Sequence, residues 1–416
     1  MRTRPLRFAA LTASAVMVFT ACSASGGDGK AEVTLWMYPV IKDEAASKKY
    51  WAKTETAFEK AHPDINLNIE LQTFDKRDAQ ISAALAAGSG PDIVLITPDQ
   101  AATYNKVGGL LPVDDAVADQ RKAFHPETLK AATIDGKLYG VPVFQNINTT
   151  AYNTKIFADA GLAIPKTWRD VLKAAPVLAK KGIAVMDYAG STEQTLNLSF
   201  FPLLWQAGGT VFSEDGKDVA FDSQQGVSAL QFLVDLKKRG GLPPDASTAG
   251  PAVEGAPIGK GKAAMRTVTS LPELSQMRAA LGKENVALGL PLQGKVRATY
   301  GNPGLLALTS INKDENREAA YDVLAYLSSA ESQEALNAAT GTFPTRTDVK
   351  APGTGPDFKV LNEALGYANP GEPSPAARQV MATLAPYIQA ALRGDLTPKE
   401  ALKKAAEEAR ALLARS

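Results

Sequence analysis

The chain has 416 residues, with 45 basic and 44 acidic side chains, two histidines and one cysteine. A balance this even argues against nucleic acid or an anionic surface as the main partner, because both demand clustered positive charge. One cysteine excludes an intramolecular disulfide and a thiolate metal cluster, and a chain of this length usually builds more than one domain.

The first element is a charged start followed by a short apolar run. Arg2, Arg4 and Arg7 precede Phe8–Thr20, thirteen residues without a charge. Spanning a bilayer takes about 20 residues, so the layout is that of a secretory signal. Phe19-Thr20-Ala21-Cys22 resembles a bacterial lipobox, in which the cysteine becomes the mature, lipid-carrying N-terminus. Ala21 and Cys22 agree with that pattern, whereas Phe19 and Thr20 stand where Leu and Ala or Ser are usual. The expectation is a signal over 1–21, lipid attachment at Cys22 and a Ser/Gly-rich flexible tether over 22–30. The signal holds three Arg and no acids, so the remaining chain carries a net charge of −2.

Strands and helices then alternate. Val33–Tyr38 is a short β-rich run, and the stretch around YWAKTETAFEKAH reads as a helix. INLNIEL (Ile65–Leu71) places Ile65, Leu67, Ile69 and Leu71 on one face and polar residues on the other, the period of a half-buried strand. DAQISAALAAG is helical and stops at Gly88, and DIVLI (Asp92–Ile96) is a continuous apolar run, as in a strand covered on both faces. This is the grammar of a doubly wound α/β sheet. TPDQ (Thr97–Gln100), DSQQ (Asp222–Gln225) and TPKE (Thr397–Glu400) mark helix starts. The last of these opens a helix with Leu402, Ala405, Ala409 and Leu412 on one face. GKLYGVPV and TTAYN read as strands, and Pro243–Pro257 as a surface loop.

Catalytic and metal chemistry is thinly represented. His62 and His125 are isolated, and neither H-E-x-x-H nor G-x-S-x-G occurs. GAPIGKGKAAM (Gly255–Met265) lacks the phosphate-loop spacing. No cofactor and no metal site is expected, and the chain reads as a non-enzyme.

Six segments in order carry a resemblance: FEKAHPDINLNIELQ, AALAAGSGPDIVLITPDQAATYNKVGGLLPVDD, DGKLYGVPVFQNINTTAYNTKIFADAGLAIPKTWRDVL, LLWQAGGTVFSEDGKDVAFDSQQGVSALQFLVDL, GKGKAAM and AAYDVLAYLSSAESQEALNAATGTFPTR. Together they resemble the extracellular solute-binding proteins of carbohydrate ABC transporters, maltodextrin-binding-like. The resemblance implies an α/β fold of two doubly wound lobes joined by a crossing-strand hinge, the type II periplasmic-binding-protein arrangement. It implies a first lobe of 31–146 plus 298–341 and a second of 147–297 plus 342–416. The cleft between them would close on a small solute by hinge motion. The partners implied are a carbohydrate, permease subunits of an ABC importer and the membrane through the lipid anchor, for a monomeric, extracytoplasmic protein. A phosphorylated polyol, a polyamine or an oligopeptide is the alternative cargo, and a secreted glycan-active enzyme the alternative activity.

Ligands in open α/β sheets sit beyond the carboxyl ends of strands. Following DIVLI to its end gives Asp99 and Gln100; Asp99 aligns with an acidic ligand contact in the maltodextrin-binding relatives, and a carboxylate can accept two vicinal hydroxyls. Trp36 and Tyr38 close the first strand and could stack on a pyranose face. Gln145 and Asn146, at the implied first crossing, could read hydroxyls with their amides. Trp205 in LLWQAGG is a second stacking candidate, and Asn302 in YGNPG lies where the chain re-enters the first lobe. Trp51 and Trp168 are expected to pack, and Arg346 to hold the second crossing. Leu271 stands near the place where many sugar-binding relatives have a stacking Trp, which favours a small or more polar ligand. Arg266 is a surface residue on this reading, or else a hint of an anionic group.

Overall fold

The computed structural model describes residues 29–415 apart from 42, 75 and 193–194, so Cys22 and the signal segment lie outside the described residues. No helix among the described residues is long and apolar enough to cross a membrane.

Two sheets organise two lobes. The first takes β1 (Ala31–Met37), β2 (Ile65–Leu71), β3 (Ile93–Ile96) and β4 (Leu110–Leu111) from the N-terminal part. A small hairpin, β5 (Thr133–Ile134) and β6 (Lys137–Leu138), precedes β7 (Val141–Gln145). The second sheet is built from β8 (Thr149–Asn153), β9 (Ala184–Asp187), β10 (Ala263–Thr269) and β11 (Val286–Gly289). β12 (Thr299–Tyr300) pairs with β14 (Ala368–Asn369), and between them in sequence β13 (Pro303–Thr309) returns to the first sheet. The first sheet runs in the order β2-β1-β3-β13-β4, with β7 also on β13. β1 is parallel to β2 and β3, whereas β13 is antiparallel to β3, β4 and β7. The second sheet is mixed too, in the order β11-β8-β10-β9 with only β10 and β9 parallel.

The sequence pattern explains the layering. In β2 the apolar set Ile65, Leu67 and Ile69 is buried while Asn68 and Glu70 face outward. β3 is buried at every residue, and α1 (Glu44–Ala61), α2 (Arg77–Ala87) and α3 (Pro98–Lys106) fill the connections between strands. Gly88 ends α2 at φ +61, the left-handed cap that glycine adopts without steric cost. Gln100 caps α3 by accepting from Thr97 N at 3.0 Å, which fixes the turn at the end of β3. In the second lobe the helix Ala377–Arg393 packs against Pro398–Leu413 and Gln224–Lys238. Trp168 and Trp51 pack: Trp168 stacks on Phe232 at 4.6 Å and donates to Gln206, and Trp51 is buried.

The lobes are joined where the chain between β7 and β8 runs beside the chain between β12 and β13. Asn146 N donates to Asn302 O at 2.9 Å and Asn148 N to Tyr300 O at 3.1 Å. A third segment comes in at Phe343, which exchanges backbone hydrogen bonds with Gln145. Arg346 secures that segment, donating to Asp348 at 2.9 and 2.8 Å and to Gln120 Oε1 at 2.6 Å.

Candidate functional site

The crossing segments run between two cavities. Asn146, Ile147, Asn148, Tyr300 and Asn302 line one of about 660 Å³ between the lobes. Gln145, Gly301 and Pro303 line a separate cavity of about 430 Å³ with His125 and Leu365. The larger cavity continues past Tyr300 and Leu198 into a space of about 730 Å³. Beside Asn146 and Pro272 it opens into a third, of about 190 Å³. Phe74 borders all three. The three spaces form one interlobe cleft with Phe74 at its centre.

Phe74 follows the carboxyl end of β2 and is 50% exposed, unusual for so large an apolar side chain. Its ring stacks on Tyr38 at 5.5 Å with 21° between planes. The Arg77 guanidinium lies 5.3 Å from the Tyr38 ring centre and 5.5 Å from that of Phe74. One face of Phe74 is thus held by a buried tyrosine, and the rest of the ring is offered to the cleft. A ring fixed this way can stack on the apolar face of a flat ligand at low entropic cost. Burial pushes the Tyr38 hydroxyl up to about 12, opposed by Arg77.

The second lobe supplies an acidic wall. Asp187, at the end of β9, and Glu273, on the helix Leu271–Leu281, both line the 660 Å³ cavity with Arg266 between them. Arg266 is 6% exposed, which removes the reading of it as a surface residue. Its Nε and Nη2 donate to Asp187 Oδ2 at 2.9 and 2.5 Å. Nη1 donates to Glu273 Oε1 at 3.3 Å and to Pro251 O at 2.9 Å, and Nη2 also to Ala252 O at 3.1 Å. A guanidinium has five N–H donors, and all five are committed. Arg266 therefore fixes the 251–252 turn as part of the cleft wall and has no donor left for an anionic solute. The loop read as mere surface thus contributes to the site. Burial raises the Asp187 carboxyl above its usual range, with Arg266 pulling the other way.

The residues singled out from sequence fall in different places. Asn146 and Asn302 line the cleft. Tyr38 lies beneath Phe74, fully buried, with its hydroxyl unpaired among the described residues. Trp36 is turned toward its cross-strand neighbour, donating to Glu70 Oε2 at 2.8 Å, and borders none of the three spaces. Asp99 is 2% exposed and lies beneath Arg378, whose Nε donates to its Oδ2 at 2.5 Å. Gln100 is spent on its cap and on a hydrogen bond donated to Asp78. Gln145 faces the opposite side of the crossing, with Nε2 donating to Asn146 O. Trp205 belongs to the core of the second lobe, where its indole donates to Glu372 at 3.3 Å. Sequence reasoning passed over Phe74, Asp187 and Glu273. The strand-end rule applied to β2 leads to Phe74, and applied to β9 leads to Asp187. No cluster of three or more metal-ligating side chains occurs among the described residues.

The family model for the bacterial extracellular solute-binding protein matches residues 38–334, which include Phe74, Asn146, Asp187, Glu273 and Asn302. The chain belongs to this family. Among curated solute-binding proteins, the arabinooligosaccharide-binding protein of Halalkalibacterium halodurans is 30% identical over 176 residues, 41% of this chain and 39% of that relative. The chain thus spans well under two thirds of that relative's length. Two solved solute-binding structures cover more. An ABC transporter solute-binding protein of Thermotoga lettingae bound with α-D-tagatose superposes with a TM-score of 0.76 at 25% identity, over 92% of this chain and 100% of that one. Maltose-bound MalE3 of T. maritima superposes with a TM-score of 0.75 at 25% identity, over 92% and 99%. The two-lobed solute-binding fold is thereby shared across nearly the whole described chain.

Proposed function

We propose that this solute-binding protein captures a neutral carbohydrate, a mono- or short oligosaccharide, in the interlobe cleft. Hinge closure retains it for delivery to the permease of an ABC importer. The observation that carries the reading is Phe74, an exposed ring clamped by Tyr38 in the middle of the cleft, with Asn146, Asn302, Asp187 and Glu273 around it. Aromatic faces stack on pyranose C–H surfaces, and amides and carboxylates read hydroxyls. The relatives bind arabinooligosaccharide, tagatose and maltose by their descriptions, which supports a sugar. The exhausted donors of Arg266 weigh against a phosphorylated polyol in the acidic half of the cleft.

No bond is made or broken in this function. The solute shifts the hinge only by binding the closed arrangement better than the open one. Cys22 would tether the receptor outside the cytoplasm through lipid. Thermal-shift screening of the purified protein against neutral sugars, phosphorylated polyols, polyamines and short peptides tests the cargo. A stabilising shift confined to neutral sugars is expected, and none with any sugar would sink the assignment. Mass spectrometry of the mature N-terminus tests the anchor: a diacylglyceryl-modified Cys22 is expected, and an unmodified N-terminal Ala or Ser refutes it.

A further inference from the structure

Arg378 forms ion pairs from the second lobe to the first. Arg378 sits in the first turn of Ala377–Arg393, a helix embedded in the second lobe's core. Asp99 sits in the first turn of α3, which packs on β13 and β4 of the first sheet. Arg378 Nε lies 2.5 Å from Asp99 Oδ2, and its Nη1 lies 4.0 Å from Asp78 Oδ2. Thr103 Oγ1, whose proton goes to Asp99 O at 2.9 Å, also comes within 3.4 Å of Pro375 O just before that helix. The partners are unequal in exposure: the Asp99 side chain is 2% exposed and the Arg378 side chain 37%. Arg378 borders the 730 Å³ part of the cleft; Asp99 borders none of it.

We infer that Arg378 is a positioning residue for closure, acting through Asp99 rather than through the solute. Asp99 Oδ1 already accepts from Thr97 Oγ1 at 2.5 Å, and Arg378 covers the other oxygen. A solute hydroxyl reaches this carboxylate only by displacing the guanidinium that covers it, which leaves the buried Asp99 charge without its cationic partner. The carboxylate therefore serves as a catch on the first lobe for an arm of the second. Parting the lobes further pulls the two charges into water and loses the pair, so the pair favours the lobe arrangement seen here over a wider one. Asp78 and Arg77 flank the catch, with Arg77 Nε 3.9 Å from Asp78 Oδ1, which leaves Arg378 in a setting where its charge is balanced from both sides. The inference uses the interlobe cleft but not the identity of the cargo.

The test needs no solute. Arg378→Met, Asp99→Asn and the double variant are made in the full chain, and amide hydrogen exchange and the radius of gyration are measured. Each single variant is expected to speed exchange at 97–103 and 376–382 about tenfold and to enlarge the radius. The double variant should do no more than either single, while the helix Pro398–Leu413 keeps its protection. Arg378→Lys should recover part of the protection, since it restores the charge without the planar fork. Additive effects in the double variant, or unchanged exchange at 97–103 in Arg378→Met, would overturn the clasp. Should Arg378→Met loosen the whole second lobe, Asp99→Asn decides from the other side: faster exchange at 376–382 supports the clasp, and unchanged exchange there refutes it.

Discussion

At the scale of single residues, the cleft is made by side chains that are held rather than merely present. Phe74 is held by Tyr38, stacked on its ring, and by the Arg77 guanidinium over the ring. Phe74→Ala is expected to weaken sugar binding about 10- to 100-fold, as loss of one buried aromatic contact implies. Its melting temperature should barely move, because the ring is half exposed; calorimetric titration with unfolding scans checks both. Glu372 offers a separate test. Burial raises its carboxyl, and the hydrogen bond from Trp205 opposes the rise. A carboxyl raised on folding binds its proton more tightly in the native state, so the native state loses stability as pH climbs from the ordinary carboxylate range through the raised value. Glu372→Gln keeps an acceptor for the indole and removes that loss. The variant should melt with the wild type at pH 4 and above it at pH 7.

The same scale shows what was hard to read. Of the aromatics chosen from sequence, Trp36 and Trp205 ended on Glu70 and Glu372, because neither a strand's alternation nor a helix's period tells what waits opposite a side chain. Asn146 and Gln145 are adjacent yet line different cavities. That placing depends on how the two crossing segments pair, which no local pattern records. Arg378 carried no signal, since its meaning arises only from Asp99, 279 positions away.

At the scale of elements, local chemistry was enough. The period-two run of β2, the unbroken apolar β3, the stop at Gly88 and the Thr-Pro starts of α3 and Pro398–Leu413 all lie where their residues dictate. Thr397 and Glu400 form the reciprocal cap, with Thr397 N to Glu400 Oε2 at 3.0 Å and Glu400 N to Thr397 Oγ1 at 3.3 Å. Thr397→Ala is expected to cost about 1 kcal/mol, measured by urea unfolding, with sugar affinity unchanged because the cap is remote from the cleft lining.

At the scale of the whole molecule, function rests on two bodies and three crossings. Closure around a sugar should shrink the radius of gyration in solution scattering, and Phe74→Ala should need correspondingly more sugar for the same change. The placing of β13 has a different consequence, for the order in which the protein comes into being. Residues 303–309 lie between β3 and β4, so the first sheet has a gap in its middle until more than 300 residues have been synthesised. Contacts this distant in sequence are slow to form. The nascent N-terminal part therefore lacks the strand that joins β3 to β4 until residues 303–309 have been made. A fragment ending at residue 297 should accordingly lack a cooperative unfolding transition in its first lobe, and adding residues 298–341 as a separate peptide should restore part of it.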